Sequence, residues 1–145
     1  MEQFVSAEVQ ASLVAAAATS AGTAVTSSAI DMQGYDAVLL FGTIATANAG
    51  NYLKAQQSSD DGVGDAYSDI EGSKVVADDG ADVVLLDIRK PMKRYLKGVI
   101  IRGGTNTATG DLYAFRYNSR KGPQVNDVLN SQNLVRLISP AEGTP

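Results

Sequence analysis

Short apolar runs, separated by turns that contain Gly, Asp and Asn, make up most of the chain beyond its first thirty residues. The branched and aromatic residues of 37–46 predict a buried strand, and 52–58 alternates enough to be its return strand. Further strands are predicted over 83–88, 95–102 and 111–118, and in the last of these aromatic residues occupy every second position from 113 to 117. Six or seven short strands, without strand–helix–strand alternation, predict an all-β sandwich or a barrel-like roll.

Turn signals separate these strands. Residues 31–35 predict a strand end and a turn in which Gly34 adopts a positive φ. Residues 48–51 predict a hairpin-like turn, and 103–110 predicts a connecting loop. Pro91 cannot donate a ladder hydrogen bond and restricts the residue before it, so the preceding strand is expected to end there.

The first segment of the chain is rich in Ala, Ser and Thr and has no Lys or Arg. Residues 15–18 favour a helix and 23–30 favour a strand by propensity. We interpret this segment as an extended arm that orders against a neighbour, with an ordinary first helix as the alternative. The predicted organisation is therefore an arm over 1–28, a β-sandwich domain over 29–121 and a C-terminal tail over 122–145.

Composition limits the chemistry available to this protein. The 145 residues include no Cys and no His, which excludes disulfides, thiol nucleophiles, Ser-His-Asp triads and His-based metal sites. We expect no enzymatic activity, and predict no catalytic, cofactor-binding or metal-binding residues. An uncharged run over 9–30 is long enough to cross a bilayer, but its many Ser and Thr residues argue against a membrane role. No basic n-region precedes it, so no secretory signal is expected.

The net charge of −4 conceals two opposed blocks. Residues 55–88 hold nine acids and one base, a net charge of −8, and residues 89–121 hold nine bases and one acid, a net charge of +8. One interpretation is that solvated loops collected like charges. The other is electrostatic complementarity, in which the acidic loop of one chain meets the basic segment of another chain or of a partner.

The most concentrated charges mark a candidate interface. Arg can make two parallel hydrogen bonds to a carboxylate, which suits an interface that reads acidic groups. The basic run could instead bind nucleic acid, with Tyr95 stacking on bases, but the acidic overall charge weighs against it. The candidate interface residues are Arg89, Lys90, Lys93, Arg94, Asp60 and Asp61.

The acidic loop superficially fits a calcium-binding motif over 60–71. An EF-hand needs Asp or Asn at its third and fifth positions and Gly at its sixth, whereas this chain has Gly62, Gly64 and Asp65 there. The motif therefore fails, and a weak calcium site of another kind stays open. The adjacent acid pairs of this region could in principle catalyse hydrolysis, but their Gly-rich surroundings favour turns.

The order of several short motifs resembles that of small structural proteins encoded in tailed-phage head-gene clusters. The motifs lie at 31–35, 53–58, 86–95, 102–103 and 117–121, and together span about 31–121. The resemblance is to capsid decoration, or cement, proteins. It implies a jelly-roll-like β-sandwich that binds the outside of a capsid as an oligomer and clamps neighbouring capsomers.

The resemblance also implies where the protein acts and with what. We expect the major capsid protein and the chain itself, as a homodimer or homotrimer, to be the partners, with no nucleic acid or membrane involved. The protein would be made in the host cytoplasm and reside on the exterior of the virion. Open alternatives are a head–tail joining or tail structural protein, and a carbohydrate- or calcium-binding β-sandwich module.

Overall fold

The computed structural model describes residues 4–79 and 82–120, which form one short helix and twelve strands. The elements are α1 (Val5–Glu8), β1 (Gln10–Ala15), β2 (Ala18–Ala21), β3 (Val25–Thr26), β4 (Ile30–Asp31), β5 (Tyr35–Ile44), β6 (Asn48–Ser58), β7 (Ser68–Asp69), β8 (Val75–Ala77), β9 (Asp82–Arg89), β10 (Tyr95–Arg102), β11 (Thr107–Thr109) and β12 (Leu112–Ser119). Among these residues, no helix is long and apolar enough to cross a membrane.

The twelve strands form eight segments, because four of the segments are each interrupted into two short strands. In chain order the segments are β1–β2, β3–β4, β5, β6, β7–β8, β9, β10 and β11–β12. They build two antiparallel sheets. In the first sheet, β1 pairs with β12 and β2 pairs with β11. Both β12 and β11 then pair with β5, and β9 pairs with the other side of β5. In the second sheet, β3 and β4 lie beside β10, then β6, then β7 and β8. The two sheets pack face to face, so the prediction of an all-β sandwich is confirmed.

The eight segments pair as one long antiparallel ribbon. The first lies beside the eighth, the second beside the seventh, the third beside the sixth and the fourth beside the fifth. The register hardly changes, since the residue numbers add to 126 for Gln10 opposite Arg116, for Ile30 opposite Leu96 and for Val38 opposite Ile88. A ribbon folded at loop 59–67 and wound around a core in this order is a jelly roll.

The apolar core lies between the sheets. Leu40, Ile44 and Leu112 of the first sheet and Leu53 and Ile100 of the second have no exposed surface. Strand alternation places every second side chain on this inner face. Fully burying each such side chain contributes about 1.5–3 kcal/mol, so this layer supplies the main driving force for folding.

The N-terminal segment is extended, and its strands belong to both sheets. Within 1–28, β1 pairs with β12, β2 with β11 and β3 with β10 of the same chain. The helix that propensity favours over 15–18 does not form, because pairing with β11 and β12 outweighs a small intrinsic preference. The sheets therefore begin at Gln10, upstream of the predicted boundary at 28–29. The predicted tail, 122–145, lies outside the described residues.

Two predicted connections are wrong in detail. The turn predicted at 48–51 is the start of β6, and the chain turns instead at 45–47, where it passes from the first sheet to the second. The connection is not a hairpin because β5 and β6 belong to different sheets. The loop predicted over 103–110 contains β11, which pairs with β2 and touches β5 at Ile44.

Candidate functional site

A surface cleft of about 510 Å³ lies where the turn 32–36 meets the loop 90–94 that follows β9. Lys90 has a positive φ of 50°, and its N–H donates a 2.6 Å hydrogen bond to the Asp36 carbonyl oxygen. Gly34, with a φ of 87°, makes the tight turn on the other side of the cleft, as its sequence context predicts. The Met32 N–H also donates to the Arg94 carbonyl oxygen at 2.9 Å, so two backbone hydrogen bonds join the walls of the cleft.

The predicted basic interface residues gather around this cleft. Lys90, Lys93 and Arg94 line it, together with Arg120 at the end of the described chain. Arg89 is the last residue of β9 and is exposed next to the loop. The structure thus brings together three of the predicted cations and adds a fourth that sequence reasoning did not select.

Carboxylates of the same chain neutralise most of these cations. Arg94 makes a bidentate contact with Asp31, at 2.9 Å from Nε and 2.8 Å from Nη2. That contact is the main cause that holds the pKa of Asp31 below its ordinary value. The ion pairs around the cleft are Arg94–Asp31 at 2.8 Å, Lys93–Asp65 at 2.7 Å and Arg120–Asp36 at 3.2 Å.

The predicted acidic residues Asp60 and Asp61 hold the loop 59–67 in shape. The Asp60 carboxylate accepts hydrogen bonds from the backbone N–H groups of residues 63–65, at 2.7–3.1 Å, and these bonds lower its pKa. Asp61 accepts the Tyr67 hydroxyl at 2.6 Å. Burial, with this hydrogen bond, raises the pKa of Tyr67. Both carboxylates therefore serve the loop itself, and neither lines the cleft.

The acidic loop nevertheless touches the basic segment, through residues that sequence reasoning did not select. Lys93 Nζ lies 2.7 Å from Asp65 Oδ2, and Lys97 Nζ lies 4.1 Å from the centre of the Tyr67 ring. Among the described residues, Lys93–Asp65 is the one ion pair that joins the acidic block to the basic block. The only signal in the sequence was the position of Asp65 within an acid-rich loop.

Acidification is expected to loosen loop 59–67 through Asp65. Its ion pair with Lys93 and its hydrogen bonds from Ser59 lower the pKa of Asp65 from 3.8 to about 2. Because the folded-state pKa is depressed, the stabilisation is complete above pH 3.8 and is lost as the pH falls towards about 2. Asp65→Asn should lower the melting temperature at neutral pH, as measured by circular dichroism. Between pH 3.8 and about 2, the melting temperature of the variant should fall less steeply than that of the wild type. A decline equally steep in the variant and the wild type would contradict this role.

A second surface is the outer apolar face of the first sheet, whose side chains point away from the core. One row of this face crosses four strands: Leu13 lies opposite Tyr113, Tyr113 opposite Phe41, and Phe41 opposite Leu85. The Tyr113 ring centre lies 6.4 Å from that of Phe41 and 6.3 Å from that of Phe115. The outer apolar face consists of Leu13, Leu39, Phe41, Val83, Leu85, Tyr113 and Phe115.

This face leaves a large amount of apolar surface open to water. Leu13 is 45% exposed, Leu85 is 52% exposed and Val83 is 56% exposed. Single exposed apolar residues are ordinary, but contiguous apolar patches on a protein surface mark interaction sites. We therefore take the outer apolar face and the adjoining cleft as the candidate functional site.

Sequence reasoning missed the outer apolar face for a physical reason. Along β12 both sides of the strand are apolar, with Leu112 and Ala114 on one side and Tyr113 and Phe115 on the other. Alternation alone does not say which side faces the core when neither side is polar. The packing of the sheets turns the smaller pair inward and the larger aromatic pair outward.

The groups that this site presents are apolar side chains and charges. In residues 4–79 and 82–120, no group of three or more acidic side chains is arranged to hold a metal ion. Asp60 illustrates why, since its carboxylate oxygens already accept backbone hydrogen bonds. Comparison with models of known protein families finds no matching family, and comparison with curated proteins finds no match.

Proposed function

We propose that this chain is a structural virion protein that binds the outside of a phage capsid and stabilises it by bridging neighbouring capsomers. The order of the short motifs between 31 and 121 supports this assignment, because it resembles that of capsid decoration proteins. A jelly-roll sandwich suits the role, since this architecture recurs in viral capsid and lectin domains. In this proposal the major capsid protein is the partner, the capsid exterior is the location, and the chain performs no catalysis.

The observation that carries the proposal is the outer apolar face. It lies on a sheet of four hydrogen-bonded segments, so little backbone freedom is lost when a partner covers it. Its centre is aromatic, as at binding surfaces where a few buried rings supply most of the affinity. Charged residues adjoin it at Asp87 and Arg89, which can set the orientation of a partner.

Symmetry on a capsid would amplify such a contact. A face of modest affinity that engages several capsomers at once gains avidity without new chemistry, provided that the geometry allows simultaneous contacts. Self-association of the chain would multiply the number of faces available. The protein would thus hold capsomers together through many weak contacts of one kind.

Leu13→Glu is expected to weaken binding to assembled capsids about tenfold or more, which corresponds to about 1.4 kcal/mol. The substitution places a charge in the exposed part of the outer apolar face without opening the core. Saturable binding to empty capsids assembled from the major capsid protein of the encoding phage would be measured by co-sedimentation. Val63→Glu is the matched control, because Val63 is 89% exposed in loop 59–67 and outside the face.

Three results would contradict the proposal: no binding of the wild type to capsids, equal binding to free capsid subunits, or loss of binding in the Val63→Glu control. A copy number of only a few per virion would instead favour a head–tail joining or tail protein.

A further inference from the structure

The strand β9 leaves one edge of the first sheet open. It pairs with β5 on one side, and no strand of the described residues pairs with its other side. The Lys90 N–H donates to the Asp36 carbonyl oxygen, and hydrogen-bonded pairs alternate along an antiparallel ladder. The even-numbered residues of β9 therefore bond to β5. The backbone groups of Val83, Leu85, Asp87 and Arg89 point outward.

The other sheet edges among the described residues are interrupted, and β9 is not. On the second sheet, one edge consists of two-residue strands and the other of β7 and β8, with a register shift beside β8. On the first sheet, the β1 edge carries a register shift between Leu13 and Ala15 and then breaks before β2. β9 runs for eight residues with no register shift.

Proteins usually protect such an edge, and the protection here is limited to the charged residues Asp82, Asp87 and Arg89. Lys, Pro and β-bulges discourage a second chain from pairing with an edge strand, and β9 contains none of them. Its inward side chains are also incompletely covered. Leu86 and Ile88 are only half-buried, whereas their partners on β5, Leu40 and Val38, have no exposed surface.

The charges at the two ends of β9 are opposite. The acidic residues Asp78, Asp79 and Asp82 lie before it or at its start, and the basic residues Arg89 and Lys90 lie at its end. When two copies of one strand pair antiparallel about a two-fold axis, the start of each faces the end of the other. Charge complementarity therefore occurs twice, and it identifies a second copy of this chain as the partner that fits the edge.

We propose that two copies of the chain pair antiparallel through their β9 edges, so that the first sheet continues across a two-fold dimer. The register that pairs outward-pointing residues with one another and overlaps residues 83–89 of the two copies centres the axis on Leu86. In that register Val83 lies opposite the partner's Arg89, and Leu85 lies opposite the partner's Asp87. Outward-pointing residues then form hydrogen-bonded pairs, each of which exchanges both of its N–H to O=C bonds.

This dimer specifies how the self-association in the proposed function would occur. Only its biological role, the bridging of capsomers, rests on the proposed function. The two-fold axis is perpendicular to the joined sheet, so both copies of the outer apolar face lie on the same side. A dimer would thus present a bivalent surface, which is the arrangement needed to bridge two capsomers.

Reciprocal charge reversal tests the pairing. The variant Arg89→Glu with Lys90→Glu makes both ends of β9 acidic, and the variant Asp78→Lys with Asp79→Lys makes both ends basic. Sedimentation velocity across a range of concentrations should show a dimer for the wild type and a monomer for each variant alone. An equimolar mixture of the two variants should dimerise again, because each end then faces the opposite charge. The wild-type dimer should also weaken as the salt concentration rises.

Two further measurements keep the test decisive if a reversed variant folds poorly. Leu85→Glu puts a charge opposite the partner's Asp87 and should abolish dimerisation, whereas Leu13→Glu, on the same face at the opposite edge, should not. In the wild type, the amide protons of Val83, Leu85, Asp87 and Arg89 should exchange with solvent more slowly as the protein concentration rises, as measured by NMR.

A wild type that stays monomeric, or a dimer that survives both Leu85→Glu and the charge reversals, would overturn the inference and leave capsid binding intact. Dimerisation through β9 without capsid binding would overturn the proposed function instead.

Discussion

Replacing Arg102 by alanine is expected to lower the free energy of unfolding by about 3 kcal/mol. Arg102 is only 4% exposed, and no carboxylate among the described residues pairs with it. Its guanidinium instead donates to the carbonyl oxygens of Thr23 at 2.6 Å, Thr19 at 2.7 Å and Thr107 at 3.0 Å. The side chain ties β10 of the second sheet to β11 and to the β2–β3 region. Its removal would leave these acceptors without their donors.

Two companion variants show whether the loss of stability comes from the hydrogen bonds of the guanidinium, from its charge or from the removal of any Arg. Arg102→Lys keeps the charge, but a single ammonium cannot replace a planar group that donates in three directions, so most of the loss should remain. Arg120→Ala removes an Arg of the same basic block whose side chain is 75% exposed, and should change stability by less than about 0.5 kcal/mol. Urea unfolding of the three variants gives the comparison. Wild-type stability in Arg102→Ala would show that water or neighbouring groups satisfy those carbonyls equally well.

Replacing Asn51 by leucine is expected to cost about 3 kcal/mol of stability as well. Asn51 is fully buried at the start of β6. Its Nδ2 donates to the carbonyl oxygens of Thr46 and Thr105, both at 3.1 Å. Its Oδ1 accepts from the N–H groups of Gly104 at 3.2 Å and Thr105 at 3.4 Å. A single amide thus clamps the turn 45–47 to the loop that precedes β11.

Leucine has the same branched arrangement of side-chain heavy atoms as asparagine but none of its polar atoms. The variant therefore removes the hydrogen bonds, and its bulkier methyl groups add a packing cost of the same sign. Asn106→Leu is the control, because Asn106 is exposed in the same loop and should tolerate the change within about 0.5 kcal/mol. Thermal and urea unfolding would measure both variants. Equal stability of the two variants would mean that the buried amide contributes no more than an exposed one.

The sequence predicted individual strands better than it predicted their neighbours. The runs at 83–88, 95–102 and 111–118 correspond closely to β9, β10 and β12, because alternation and β-branched residues are local signals. The turn predicted at 48–51 failed because Asn and Gly favour turns wherever they occur. Here Asn51 is a strand residue whose amide satisfies a buried site, a role that depends on contacts more than fifty residues away.

The candidate site was also predicted in its individual residues but not in the contacts between them. Sequence reasoning selected Lys90, Lys93 and Arg94, and these residues do line one cleft. It did not select Asp31 or Asp36, since a carboxylate becomes part of a site only when folding places it beside a cation. Asp60 and Asp61 turned out to be held by their own loop, which is an ordinary use of Asp in Gly-rich turns.

The sequence by itself determined the β character of the chain, the absence of Cys and His chemistry, and the order of the acidic and basic blocks. Each of these follows from composition, from the order of residues along the chain or from a period of two residues. Only the tertiary structure decided which face of β12 is buried, which arginine is internal and which strand is left at an edge. The reason is that burial and edges are properties of neighbours, and the neighbours here are as distant as Gln10 and Arg116. Residues of the +8 block therefore lie in different environments: Arg102 is buried in the sandwich, and Arg89 lies at an open sheet edge.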